Sequence, residues 1–210
     1  MSLFLGKIHY WLYNKILFLE DLEEQIIQSV KEQDKDIDAL VNHINGQFSS
    51  PTEGKPLEEI IDTSNIHGWL QIKIESAELR QAMLITELLK WKSAYKTDLL
   101  KKYSEQGKAA AHEYLNSVDS PEEIFKALND FLLEGMPCDR VNEVVKSIDD
   151  EFSWETTMCL HKDYWNRVGG NVQNFYDLRE VWIKAFVENI NSEFRYEKSN
   201  DGLNRIVKQK

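Results

Sequence analysis

The spacing of apolar residues switches between two periods along this chain, and the first switch limits what it can fold into. Up to about residue 148 apolar side chains return at steps of three and four, the period of one helix face. From Phe152 they alternate instead: Phe152, Trp154, Thr156, Met158 and Leu160 stand between Ser153, Glu155, Thr157, Cys159 and His161. Alternation rich in aromatic and β-branched residues predicts a strand over 152–160. After Gly169-Gly170 the helical period returns through Phe175, Leu178, Trp182, Phe186 and Ile190. Near the end, the Asp201-Gly202 pair predicts a hairpin joining strands at 194–198 and 203–207. Helices first and a small sheet last define the expected class: α+β and predominantly helical, a helical bundle with a small C-terminal antiparallel sheet.

The first helix is expected from about Leu3 to Lys31, with Ile8, Leu12, Ile16 and Leu19 buried. Its first half is apolar nearly all round, which calls for contacts on several sides, a second copy of the chain being one candidate. Ile37, Leu40, Val41 and Ile44 repeat the spacing after an Asp36 cap, and Gly46 is expected to end that helix. The chain reads as one domain over 1–210, and the Ser, Pro and Gly residues of the loop 46–56 mark its best internal sub-boundary. Ser64 is expected to cap the longest helical pattern, which runs through Ile66, Leu70, Ile74, Ala77, Leu84, Leu88 and Trp91. Another helix is predicted from Ala94 to Asn116. Ser120-Pro121-Glu122-Glu123 is the sharpest local signal, an N-cap serine, a proline at the first helical position and a glutamate placed for a capping box. A short helix is predicted after Asp139, through Val141, Val144, Val145 and Ile148.

Charge and motifs exclude several functions. The net charge of −11 argues against nucleic acid, because phosphate binding needs clustered Lys and Arg. The N-terminal apolar run is broken by Lys7, His9, Asn14 and Lys15, so it predicts no membrane span, and it lacks a small-residue cleavage site, which makes the cytoplasm the expected compartment. Cys138 and Cys159 stand too far apart for a zinc framework or a disulfide scaffold. There is no Glu-x-x-His, HExxH, GxSxG or GxGxxG, so no cofactor is identified.

Two constellations remain. His67, Gln71, Glu75 and Glu78 fall within about 80° of one another on a helix, where imidazole and carboxylates on successive turns can hold a polar ligand. A metal there would need a further ligand, such as His112 or His161, and no recognised ligand spacing assigns one. Tyr164 and Trp165 join His67, Gln71 and Glu78 as candidate ligand-binding residues, although the cluster of Tyr10, Trp11, Tyr13, Tyr164, Trp165 and Trp182 also reads as core or subunit interface. The second constellation is Glu155, Cys159 and His161, which share one face of the expected strand. A thiol and an imidazole on one face have the makings of a nucleophile and its base. The plainer alternative is a half-exposed strand face, or a buried and inert cysteine.

Thr157-Met158-Cys159-Leu160-His161 followed by Gly169 resembles the strand, Thr-x-Cys, helix and glycine pattern of the L-2-amino-thiazoline-4-carboxylic acid hydrolase-like family. The resemblance covers residues 150–208 and continues through a helix into a last strand. It implies hydrolysis of a C–N bond with Cys159 as the matching position, while the family's downstream cysteines have no counterpart here. Three functions follow as expectations: small-molecule binding in a pocket between the helices and the C-terminal sheet, C–N bond hydrolysis by Cys159 and His161, or an oligomeric interaction protein docking through its first helix.

Overall fold

The computed structural model describes residues 5–34, 36–114, 117–199 and 202–209. It has the expected class: eight α-helices among these residues and one four-stranded antiparallel sheet in the C-terminal part. The chain folds into two compact units, one formed by Met1–Tyr95 with His161–Val172, the other by Lys96–Leu160 with Gln173–Lys210. The loop 46–56 lies inside the first unit.

The first unit is helical. Helix α1 (Lys7–Lys31), α2 (Ile37–Phe48), the single turn α3 (Leu57–Ile60), α4 (Ile66–Trp91) and α7 (His161–Arg167) form it, with α4 contacting α1, α2 and α7. That explains why α4 buries residues all round: Leu70, Ile74, Ala77, Leu84, Ile85 and Leu88 are within 1% of complete burial. The cap is Asn65, one residue beyond the expected Ser64. Its side chain accepts the Gly68 N–H at 3.1 Å, and a Cβ at Gly68 would run into that same side chain. Along α1, Leu12 and Ile16 are buried as expected and Leu19 is half-buried, but Ile8 is 48% exposed. The apolar start of α1 is therefore not covered on every side within the unit; the expected Leu3 start lies outside the described residues. Gly46 does not end α2, which continues to Phe48 and stops where Ser49 turns left-handed at φ 67°. Asp36 precedes α2 without a side-chain cap bond.

The second unit joins α5 (Tyr95–Glu113, beyond its first residue), α6 (Pro121–Phe131) and α8 (Gln173–Ile190) to the strands β1 (Asn142–Ile148), β2 (Glu151–Thr156), β3 (Phe194–Lys198) and β4 (Asn204–Lys208). The capping box at α6 is formed as read: Ser120 Oγ accepts the Glu123 N–H at 3.2 Å and Glu123 accepts the Ser120 N–H at 3.2 Å. Strand order is β1-β2-β4-β3, with Phe152 opposite Ile206 and Tyr196 opposite Ile206 on the other side. The expected hairpin is present as β3 and β4. Of its turn, Asn200 and Asp201 lie outside the described residues, and Gly202 takes φ +90°.

Two sequence expectations are corrected. Residues 142–148 form a strand and not a helix. Val141, Val144, Val145 and Ile148 imitate helical spacing because a β-bulge between Val144 and Lys146 inserts one residue into the alternation. The β-branched valines favour the strand. The strand over 152–160 stops at Thr156; residues 157–160 connect it to α7, which begins at His161. The core of this unit is aromatic. Phe125 of α6 stacks on Phe152 with centroids 4.5 Å apart, and Trp182 and Phe186 stack within α8 at 5.3 Å. Gly107 lets α5 meet α8, since a Cβ there would lie 2.5 Å from the Trp182 carbonyl oxygen.

Candidate ligand site

The first unit holds charge where its helices should bury only hydrocarbon. On α1 the buried face runs Leu12, Ile16, Glu20, Glu23, Ile27 and Val30, so two carboxylates occupy core positions. On α4, Arg80 falls in register with Ala77 and Leu84 and is 1% exposed. Its Nη2 donates to Glu20 Oε1 at 2.7 Å, and its Nε donates to Glu23 Oε2 at 3.0 Å and Oε1 at 3.2 Å. Nη1 donates to Ser76 Oγ at 3.0 Å and to the Ser49 carbonyl at 3.4 Å, while Ser76 donates to the Phe48 carbonyl. Glu20 Oε2 accepts the Thr52 N–H at 3.0 Å and the Thr52 hydroxyl at 2.5 Å. Burial first, then the neighbouring Glu20 and Glu24, push the Glu23 carboxyl up to about 7 against the opposing pull of Arg80.

These carboxylates form part of the wall of a cavity of about 540 Å³ between α1, α2 and the loop after α2. Leu17, Ile27, Val41 and Pro51 supply its apolar wall, and every ionisable residue in the lining is acidic: Glu20, Asp21, Glu23, Glu24 and Glu53. Asn45 also lines it, and its Oδ1 is buried with no hydrogen-bond partner. The volume falls in the ~300–1,000 Å³ range of small-molecule sites. Sequence reading missed this cluster because isolated charges on helices are ordinarily solvated. The available signal was register: Glu20, Glu23 and Arg80 each interrupt an apolar stripe at a position the stripe requires.

The residues singled out from sequence are dispersed. His67 and Gln71 are exposed, and His67 Nε2 lies 3.3 Å from Nε2 of the buried His9, whose Nδ1 accepts the Gly6 N–H. That bond fixes neutral His9 as an Nε2–H tautomer, so it is His9 that donates to His67. Burial, then the nearby His67, holds the His9 pKa below its ordinary value. Glu75 pairs with Arg167, and Glu78 is buried against His161, with Nδ1 to Oε2 at 3.1 Å. His67 and Glu78 thus take separate partners, and among the described residues no group of three or more His, Cys, Asp and Glu gathers for a metal. Trp165, 1% exposed, is core of the first unit, and Tyr164 is half-buried.

The Glu155, Cys159 and His161 face also changes, because the strand that would align them ends at Thr156. Glu155 is exposed on β2, and His161 belongs to α7 of the first unit. Cys159, half-buried in the second unit, accepts a hydrogen bond on Sγ from the Tyr176 hydroxyl at 2.5 Å. Burial, then this sulfur, raises the Tyr176 pKa, which keeps the hydroxyl a donor. No helix among the described residues is long and apolar enough to cross a membrane. No family model, curated protein or solved structure matches this chain.

Proposed function

We propose that this protein binds a small molecule in the cavity of its first unit, and that the ligand is an organic cation with an apolar body. One observation carries this reading: the cavity combines an aliphatic wall with ionisable groups that are acidic without exception. A carboxylate pair anchored by a buried guanidinium is a pre-formed acceptor for ammonium N–H groups, since its geometry is fixed before the ligand arrives. An anionic ligand would meet repulsion from every ionisable side chain in the wall. The test is an NMR titration of the labelled protein with cyclohexylmethylamine, cyclohexylmethanol and cyclohexanecarboxylate. Saturable shifts at Val41, Asn45 and Ile27 with the amine, weaker with the alcohol and absent with the carboxylate, are expected. An unchanged spectrum with all three probes would sink the reading.

A second reading, hydrolysis of a C–N bond by Cys159, rests on the Tyr176 hydroxyl at the sulfur and on the family resemblance. That bond places a polar partner on the candidate nucleophile. The comparison to make is the alkylation rate of Cys159 against exposed Cys138 across roughly pH 5 to 9. A nucleophile reacts faster than Cys138 on the acidic side of that range despite its partial burial, and Tyr176→Phe removes the advantage. If Cys159 is the slower thiol throughout, this reading fails.

A further inference from the structure

The buried charge cluster behind the cavity carries one more carboxylate than guanidinium. Glu20 and Glu23 face a single guanidinium, Arg80, and all three are at least nine-tenths buried. The rest of the network is uncharged: Thr52, Ser76 and the carbonyls of Phe48 and Ser49. Lys55 is exposed and pairs with Glu53 at 2.9 Å. Keeping an unbalanced carboxylate out of water is costly, and a proton or a cation restores the charge balance that neutral hydrogen-bond donors do not.

The hydrogen bonds show which carboxylate takes it. Glu20 accepts three well-placed donors, one on Oε1 and two on Oε2. The two oxygens of Glu23 share one donor, Arg80 Nε–H. Glu23 is therefore the under-coordinated member, with acceptor capacity left over. The charged groups facing it are Glu20 and Glu24 from α1 and Arg80 from α4; α2 contributes only Val41 and Asn45 to the cavity. Asn45 Oδ1, buried and unpaired, is a second acceptor in the same wall. An ammonium group brings three donors, enough to satisfy both.

We infer that a proton and the ligand's cationic group compete for Glu23, so that loading the cavity expels a proton. This rests on the cation reading above. The carboxyl of Glu23, pushed up to about 7 by burial, is then half protonated in the empty cavity near neutrality. Binding an ammonium releases that proton to solvent, and acidification drives the ligand out.

Two measurements on the full chain test this. In the ligand-free protein, the ¹³C side-chain carboxyl resonance of Glu23 should titrate near neutrality instead of with the ordinary carboxylates. Calorimetric titration with cyclohexylmethylamine near pH 7, in phosphate and in Tris, should give heats that differ between buffers and report release of about half a proton per ligand. Apparent affinity should fall about tenfold between roughly pH 8 and pH 6, as the ionised fraction of Glu23 falls. Glu23→Gln should bind more weakly, with no dependence on buffer or on pH in that range. An ordinary Glu23 midpoint, or amine binding without proton release, overturns the competition and leaves the cation reading standing. Equal binding of cyclohexylmethanol, or no amine binding at all, overturns the cation reading and the competition with it.

Discussion

The two units solve the problem of a core in different ways. The second packs rings: Phe125, Phe152, Trp154 and Tyr196 form one cluster and Trp182 stacks on Phe186, and two of its buried polar pairs are neutral, Trp182 Nε1–H with Gln106 and the Tyr196 hydroxyl with Asn204. The first buries ionisable groups: Glu20, Glu23 and Arg80, then Glu78 with His161, then His9 beside His67. A ring core gains from each face removed from water and is indifferent to pH. Buried ion pairs add little net stability, because desolvation offsets much of the attraction. Buried ionisable groups in the first unit and buried rings in the second thus set the candidate site apart from a core built for packing alone.

The largest test of that contrast pairs one deletion from each core. Trp182→Ala should destabilise by about 3–5 kcal/mol through the cavity it leaves, equally in mild acid and mild base. Arg80→Ala should cost about as much in mild base, roughly 3–5 kcal/mol, by stranding two buried carboxylates. Its cost should shrink in mild acid, where Glu23 is already neutral. Denaturant unfolding of both variants at two pH values decides. A pH-independent cost for Arg80→Ala would erase the distinction.

A smaller effect sharpens it. The folded pKa of Glu23 stands above its unfolded value, so between about pH 4.5 and 7 the folded state binds more protons. Stability from this group is complete below that window and is lost as pH rises through it, on the order of 1–3 kcal/mol. His9 acts in the opposite sense: its depressed pKa means stability lost as pH falls below the ordinary histidine range. Where the two windows overlap their slopes oppose each other, and Glu23→Gln should flatten the alkaline limb, the loss as pH rises toward 7, while leaving the His9 loss on acidification. An alkaline limb unchanged by that substitution would assign the slope elsewhere.

What the sequence made legible follows the range of each signal. The Ser120 capping box, the stripe of α4 and the hairpin at the end are local patterns, and they stand where they were read. β1 departs from its helical spacing because a bulge shifts the alternation and gives Val141, Val144, Val145 and Ile148 a helical beat. The buried charge cluster of the candidate site is illegible for a different reason. Glu20 and Arg80 are sixty positions apart, and nothing local marks a charge on a helix as buried until its partner in another helix is known.

The bulge in β1 has a colloidal consequence. β1 is an outer strand, and Val144, Val145 and Ile148 are each about half exposed, as on a strand inviting addition of another. An outer strand with regular spacing is a template on which further chains can stack. Here the extra residue at Val145 breaks the repeat, and Lys146, held by Glu151 at 2.6 Å, sets a cation among the valines. An incoming strand would lose register after a few residues and would have to displace that ion pair. The irregularity that hides β1 from pattern reading is thus also an obstacle to strand-by-strand stacking at this edge.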